Sequence, residues 1–233
     1  MKEESSATIF NSAKRGFREL PAYKCFSTFD SCNAEKGFNE SFGQLTFLND
    51  AFLSPQESIT HRHEEDTRVV ILPLTGALSH HNEIQKPQLI QSEQIKIMEV
   101  EKEMPYVFTN PFEKEWVNYL HMGFKVDAFP LKNQSVLQNI ELKKMNEPAC
   151  FVIHAPDQLI GQIGIYEGRM EGSYTLNDPA NGVFVYVIGG AFEVQGRLLE
   201  YRDGLSLWNT PAIEFEALSN NAILMILETK LTQ

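Results

Sequence analysis

Val69-Val70-Ile71-Leu72-Pro73-Leu74-Thr75-Gly76-Ala77-Leu78 is an apolar run that stops at a glycine. It has a counterpart in the second half of the chain, Val183-Phe184-Val185-Tyr186-Val187-Ile188-Gly189-Gly190-Ala191-Phe192. Apolar runs bounded by turn glycines and rich in β-branched residues read as buried strands. Each run is followed at a similar distance by a second strand signal, Ile95-Lys96-Ile97-Met98 in one case and Leu205-Ser206-Leu207-Trp208 in the other. Recurrence of the whole pattern marks a duplicated domain. Short strand signals with frequent turns extend over both halves, which predicts an all-β chain of two sandwich- or barrel-like domains.

Outward from these runs, the first domain is expected over residues 1–130 and the second over 149–233. Residues 131–148 are poorer in strand character and contain Asn133, Gln134, Asn146 and Pro148. They read as a linker with a short helix at Gln134–Lys144. Phe26–Phe29 and Phe42–Phe47 read as strands, Ser31–Ser41 as a loop and Asn49-Asp50 as a turn. Ser79–Pro87, which contains His80, His81 and Asn82, reads as a polar loop at the surface.

Composition narrows the function classes. The chain has 233 residues and a formal net charge of −11. Such acidity argues against nucleic acid as a partner, because phosphate binding needs a basic surface, and disfavours an anionic membrane. No apolar run approaches the roughly 20 residues of a membrane-spanning helix, and no secretory signal segment opens the sequence. Cys25, Cys32 and Cys150 cannot all pair and form no C-x-x-C motif. They read as thiols of a reducing compartment, so a cytoplasmic protein is expected.

The candidate chemistry lies just before the first run, in Thr60-His61-Arg62-His63. Residues two apart on a strand share a face, so His61 and His63 project together, and neutral imidazoles are good ligands for iron, copper, nickel or zinc. By the register of the two runs, Thr175 and Asn177 stand where His61 and His63 stand in the first half. Only the first domain is therefore expected to carry chemistry.

Taken in order, several segments make the chain resemble the pirin-like bicupins, a group that includes quercetinase-type proteins. They are Phe26–Phe29, Leu45–Asp50, Thr60–His63, the Gly76 turn followed by His80, and Asp203-Gly204-Leu205-Ser206-Leu207-Trp208. The resemblance covers nearly the whole chain and implies two cupin barrels, jelly-roll-like, in tandem. It also implies one metal, usually iron, in the N-terminal barrel, held by the two histidines and by a later His and Glu. Here those later positions are Tyr106 and Phe108, and Arg68 stands where the family carries an acidic residue.

Phenylalanine cannot ligate, and a guanidinium repels a cation. The expected outcome is a degenerate metal site with no cofactor, leaving a pocket of His61, His63, Arg68, Tyr106, Phe108 and His121 for a small molecule. Arg68 is expected to keep the histidines neutral and to promote ionisation of Tyr106. A metal-dependent oxygenase of the quercetin 2,3-dioxygenase type is the alternative, with iron or another divalent transition metal on His61 and His63 and with His121 or Tyr106 completing the shell. A structural or regulatory interaction role is a third class that the resemblance admits. Whether the chain is a monomer or a dimer is not set by these residues.

Overall fold

The structure is a computed structural model and describes residues 6–29, 41–82, 86–126, 135–142, 144–154 and 159–231. Among the described residues the helical content is a single 3-10 turn, Ser12–Lys14, and everything else regular is strand. In chain order the first strands are β1 Ser6–Phe10, β2 Gly16–Leu20, β3 Tyr23–Ser27, β4 Leu45–Leu53 and β5 Ser58–His61. Then come β6 Thr67–Thr75, β7 Ala77–Asn82, β8 Gln88–Gln91, β9 Gln94–Val100, β10 Tyr106–Thr109, β11 Val117–Lys125 and β12 Ser135–Asn139. The second half contributes β13 Ala149–His154, β14 Leu159–Tyr166, β15 Glu171–Thr175, β16 Gly182–Gly189 and β17 Phe192–Val194. It closes with β18 Arg197–Leu199, β19 Gly204–Trp208, β20 Ala212–Ala217 and β21 Ala222–Thr229.

The chain divides into two compact units. One, from β2 to β12, is built of a seven-stranded sheet in the order β12-β9-β6-β11-β4-β3-β2 and a four-stranded sheet β5-β10-β7-β8. The other pairs a six-stranded sheet, β1-β19-β16-β21-β14-β13, with a four-stranded sheet β15-β20-β17-β18. The central order is the same in both, and the two apolar runs occupy the same place, β6 and β16. Each run ends at a glycine in the left-handed region, Gly76 at φ 75° and Gly190 at φ 74°, a conformation that favours glycine. Each unit has its own core, one around Val69, Ile71, Phe108 and Tyr119, the other around Val185, Phe192, Leu207 and Phe215.

Several expectations are corrected. Ser135–Asn139, read as part of a linker helix, is β12, paired with β9 through Val136 opposite Ile97. The N-terminal unit therefore runs to Ile140, past the expected boundary. β1 belongs to the other unit, where Ser6–Phe10 pairs with Gly204–Trp208. Asn49 and Asp50 are not a turn but lie inside β4. The polarity of Asp50 is met across strands, where its Oδ1 accepts from Asn118 Nδ2 at 2.7 Å. Residues 79–82 continue a strand, because β10 and β8 pair with both edges of β7 and satisfy its backbone. The Ser31–Ser41 loop, apart from Ser41, and Cys32 lie outside the described residues. Cys25 is a buried thiol and Cys150 an exposed one.

Candidate functional site

The site is built on the inner face of the N-terminal barrel, where strand alternation decides which residues meet. On β4 that face carries Phe47, Asn49 and Ala51, and on β11 it carries Tyr119, His121 and Gly123. His121 lies opposite both Asn49 and Ile71, and Gly123 opposite Phe47. From the facing sheet, β10 brings Tyr106 opposite His61, and Phe108 opposite His80. His63 lies two residues beyond the end of β5. Its segment is tied down by Glu103 N donating to the His63 carbonyl at 2.8 Å and Lys102 N donating to Asp66 Oδ1 at 2.7 Å.

At the centre is the Tyr106 hydroxyl, 2.6 Å from His63 Nε2 and 2.8 Å from His121 Nε2. A phenol has one proton to donate, so it donates to one imidazole and accepts N–H from the other. The His61 ring lies against His121, with centroids 4.5 Å apart, and stacks on Tyr106 at 5.5 Å. Phe47 stacks on His63 at 5.2 Å and meets His121 edge-on at 4.8 Å. His61, His63, His121 and Asn49 line a cavity of about 570 Å³, whose rim carries Arg18, Arg62 and Lys125 together with Glu64, Glu65 and Asp66. His61 Nε2, His121 Nδ1 and Asn49 Oδ1 are shielded from solvent without a hydrogen-bond partner among the described residues.

Burial sets the electrostatics. Loss of hydration disfavours the charged form of each histidine, lowering His61 to about 3 and His63 to about 4, and His121 well below its ordinary value. His61 is lowered further by the neighbouring charges of His63 and Arg18. The histidines are thus neutral, as the sequence implies, but not because of Arg68.

Arg68 is not part of the cluster. It alternates with Val69 and Ile71, which face the barrel core, so its side chain lies on the opposite face. There Nη2 pairs with Glu99 Oε1 at 2.8 Å, directly across the strand. The expected ease of ionisation of Tyr106 is overturned with it. The phenol is fully buried, and desolvation raises its pKa well above the ordinary value. Phe108 lies in the cluster as an apolar wall, with its ring 5.8 Å from His121.

Two further participants were misplaced or missed. His80, expected at the surface, is 1% exposed and packs against Phe108 at 5.7 Å, and burial lowers its pKa to about 3. Asn49, read as a turn, is an inner-wall residue. The signal for Asn49 was its spacing, since it lies two from Phe47 and two from Ala51 in an otherwise apolar run.

Gly123 is what allows Phe47 to lie where it does. A Cβ built on it would fall 2.0 Å from the Phe47 ring. Gly123→Ala is therefore expected to push Phe47 off His63 and to destabilise the N-terminal unit by about 1–3 kcal/mol. Thermal unfolding reads the loss, and unchanged stability with an unchanged His63 ring environment by NMR would refute this packing.

In the second barrel the register holds without the chemistry. Thr175, the counterpart of His61, pairs with Ala212 where His61 pairs with Tyr106. Asn177, the counterpart of His63, is bound through Nδ2 and its backbone N to Glu228 at 2.9 and 3.0 Å.

Two sheet pairs of one topology in tandem define a bicupin. Comparison with known proteins carries this one step further. Residues 162–227 match the family described as the quercetinase C-terminal cupin domain, whereas no curated protein matches the chain by sequence. Among solved structures, YhhW from Escherichia coli superposes with a TM-score of 0.84 over 98% of this chain and 99% of that one, at 13% identity. The bacterial pirin YhhW in complex with nickel(II), also from Escherichia coli, gives 0.85 over 97% and 100%, at 14% identity. A quercetin 2,3-dioxygenase from Acinetobacter baumannii gives 0.72 over 97% of this chain and 79% of that one, at 12% identity. The chain has the tandem two-barrel fold of these proteins. At such identities the likeness extends to architecture and not to the reaction. Among the described residues no helix is long and apolar enough to cross a membrane.

Proposed function

We propose that this protein is a small-molecule-binding bicupin whose N-terminal barrel works without a metal such as the nickel(II) bound by the bacterial pirin YhhW. One observation carries the reading: the Tyr106 hydroxyl lies between His63 Nε2 and His121 Nε2 at 2.6 and 2.8 Å, engaging two of the nitrogens a metal would need. Phe108 supplies no donor at the neighbouring position. Among the described residues no group of three or more His, Cys, Asp or Glu side chains is placed to hold a metal ion. The protonated phenol is also a poor ligand, and burial holds it protonated. The residues present therefore do not fit the family's metal. What they offer is a cavity with aromatic walls and a few convergent polar atoms, the usual make-up of a small-molecule site.

Metal content of the purified protein, before and after incubation with iron, nickel, copper, zinc or manganese, tests this reading. Far less than one equivalent is expected under every condition. Near-stoichiometric metal that His61→Ala and His63→Ala abolish would overturn it. It would favour the alternative, a metal-dependent oxygenase acting on a flavonol-like aromatic, especially if chelation abolished oxygen consumption with quercetin.

A further inference from the structure

Three polar atoms on the inner wall lack partners among the described residues, and one of them, His121 Nδ1, is the far end of a continuous hydrogen-bonded chain. From His121 the chain passes through Nε2 to the Tyr106 hydroxyl at 2.8 Å, and from there to His63 Nε2 at 2.6 Å. His121 is 1% exposed, whereas His63 is only partly buried, beside exposed Glu64 and Glu65 at the cavity rim. The wire thus runs from the sealed inner wall to the mouth. Both separations lie within the range over which protons transfer between heavy atoms.

We propose that His121, Tyr106 and His63 form a proton relay through which a weakly acidic hydroxyl, bound at His121 Nδ1, exchanges its proton with solvent. The proposal rests on the reading that the cavity holds a small molecule. The ligand O–H breaks as His121 Nδ1–H forms, and His121 Nε2–H breaks as the proton moves to the Tyr106 oxygen. The proton that Tyr106 carried passes to His63 Nε2, and His63 Nδ1–H releases a proton to water. One proton leaves the ligand and one reaches solvent. Both histidines end neutral in the opposite tautomer, Tyr106 is unchanged, and reversal restores the starting state. The ligand is left as an anion in a cavity whose rim presents Arg18, Arg62 and Lys125 against Glu64, Glu65 and Asp66.

Two features show why the chain suits a relay rather than storage of charge. A tyrosine hydroxyl donates and accepts at one atom, so it links two imidazoles without a change of geometry. The same burial that keeps both histidines neutral and Tyr106 protonated makes a charged intermediate on any single member costly. Concerted transfer avoids that cost. His61 lies against His121 but is not in the chain. Its Nε2 and Asn49 Oδ1 remain on the wall as further contacts for the bound molecule.

The test compares the intact protein with Tyr106→Phe, which keeps the ring and removes only the linking oxygen. The first readout is the ring-nitrogen NMR spectrum of His63 and His121. Shifts averaged over two tautomers in the parent, collapsing to one tautomer each in the variant, are expected. A single fixed tautomer for both histidines in the parent overturns the relay, whatever binds in the cavity.

The second readout uses 4-nitrophenol, whose absorption distinguishes the phenol from the phenolate. The parent is expected to bind it and ionise it with a solvent isotope effect, and Tyr106→Phe to bind it with ionisation slowed by about a hundredfold. Equal ionisation in both proteins overturns the relay but leaves the cavity reading standing. Failure of the probe to bind either protein counts against the cavity reading, and with it the ligand end of the relay.

Discussion

Lowering the pH from 7 to about 5 is expected to unfold the N-terminal barrel while the C-terminal barrel stays folded. Four of its histidines are neutral, His80 and His121 buried and His61 and His63 partly so: His61 and His80 are lowered to about 3, His63 to about 4, and His121 well below its ordinary value. In the unfolded chain each returns to 6.5. A group whose folded pKa is depressed contributes stability above its unfolded pKa and loses it as the pH falls. The loss therefore begins near pH 6.5 and continues down to the folded values of about 3 to 4.

For His80 and His121, each 1% exposed, the loss is about 1.4 kcal/mol per pH unit and per group. His61 adds to it, and His63 adds less because solvent at the cavity mouth screens it. Against a total stability of about 5–15 kcal/mol for a typical domain, three or four such groups suffice within about two pH units.

The two tryptophans report on the units separately, Trp116 in one and Trp208 in the other. In Trp208→Phe, the fluorescence of Trp116 should show a transition near pH 5. In Trp116→Phe, Trp208 should not. His80→Leu replaces an imidazole that has no hydrogen-bond partner among the described residues with an apolar side chain of similar size, and should flatten the pH dependence by about 1.4 kcal/mol per unit. A Trp116 transition only below about pH 4 would show that the histidines accept protons within the fold.

Glu228→Ala is expected to be the most destabilising single substitution in the C-terminal barrel. The carboxylate is 0% exposed and receives Tyr174 Oη at 2.7 Å, the backbone N of Asn177 and of Asp178 at 3.0 and 3.1 Å, and the side-chain amides of Asn177 and Asn181 at 2.9 and 2.7 Å. Burial alone would raise its pKa. The donors from Asn177, Asn181, Tyr174 and Asp178 outweigh that and hold it below the ordinary value.

Removing the carboxylate strands these donors where water does not reach, at a cost of about 3–5 kcal/mol. That corresponds to a fall of about 12–20 °C in melting temperature, read from Trp208. Glu228→Gln keeps the shape but turns an NH₂ group toward the donors, and should recover only part of the loss. If both variants melt within about 2 °C of the parent, the carboxylate does not hold the 177–181 segment. Because its folded pKa is depressed, the stability Glu228 contributes is present above the unfolded carboxylate value and is lost only as the pH falls below about 4. This is why the second barrel should outlast the first on acidification.

The sequence by itself determined the duplicated all-β architecture and located the His61–His63 pair in the first barrel. Alternation, turn glycines and the recurrence of Val69–Leu78 at Val183–Phe192 are local properties, and strand identity follows from them. It also singled out His61, His63 and His121, which line one cavity, and Tyr106 and Phe108, which pack against His121; His61, Tyr106, Phe108 and His121 lie at inward parities of their strands. Tertiary structure alone decided the rest. Arg68 lies one residue from the inward Val69, and cross-strand pairing with Glu99 fixed it on the far face. Asn49 and Asp50 have the composition of a turn, yet pairing with β3 and β11 holds them inside β4. His80 looked like a surface residue until β10 placed Phe108 opposite it. In each case the deciding quantity is the register between strands distant in sequence. A one-residue change in register exchanges the two faces, and no local pattern around Arg68 or His80 specifies which face they take.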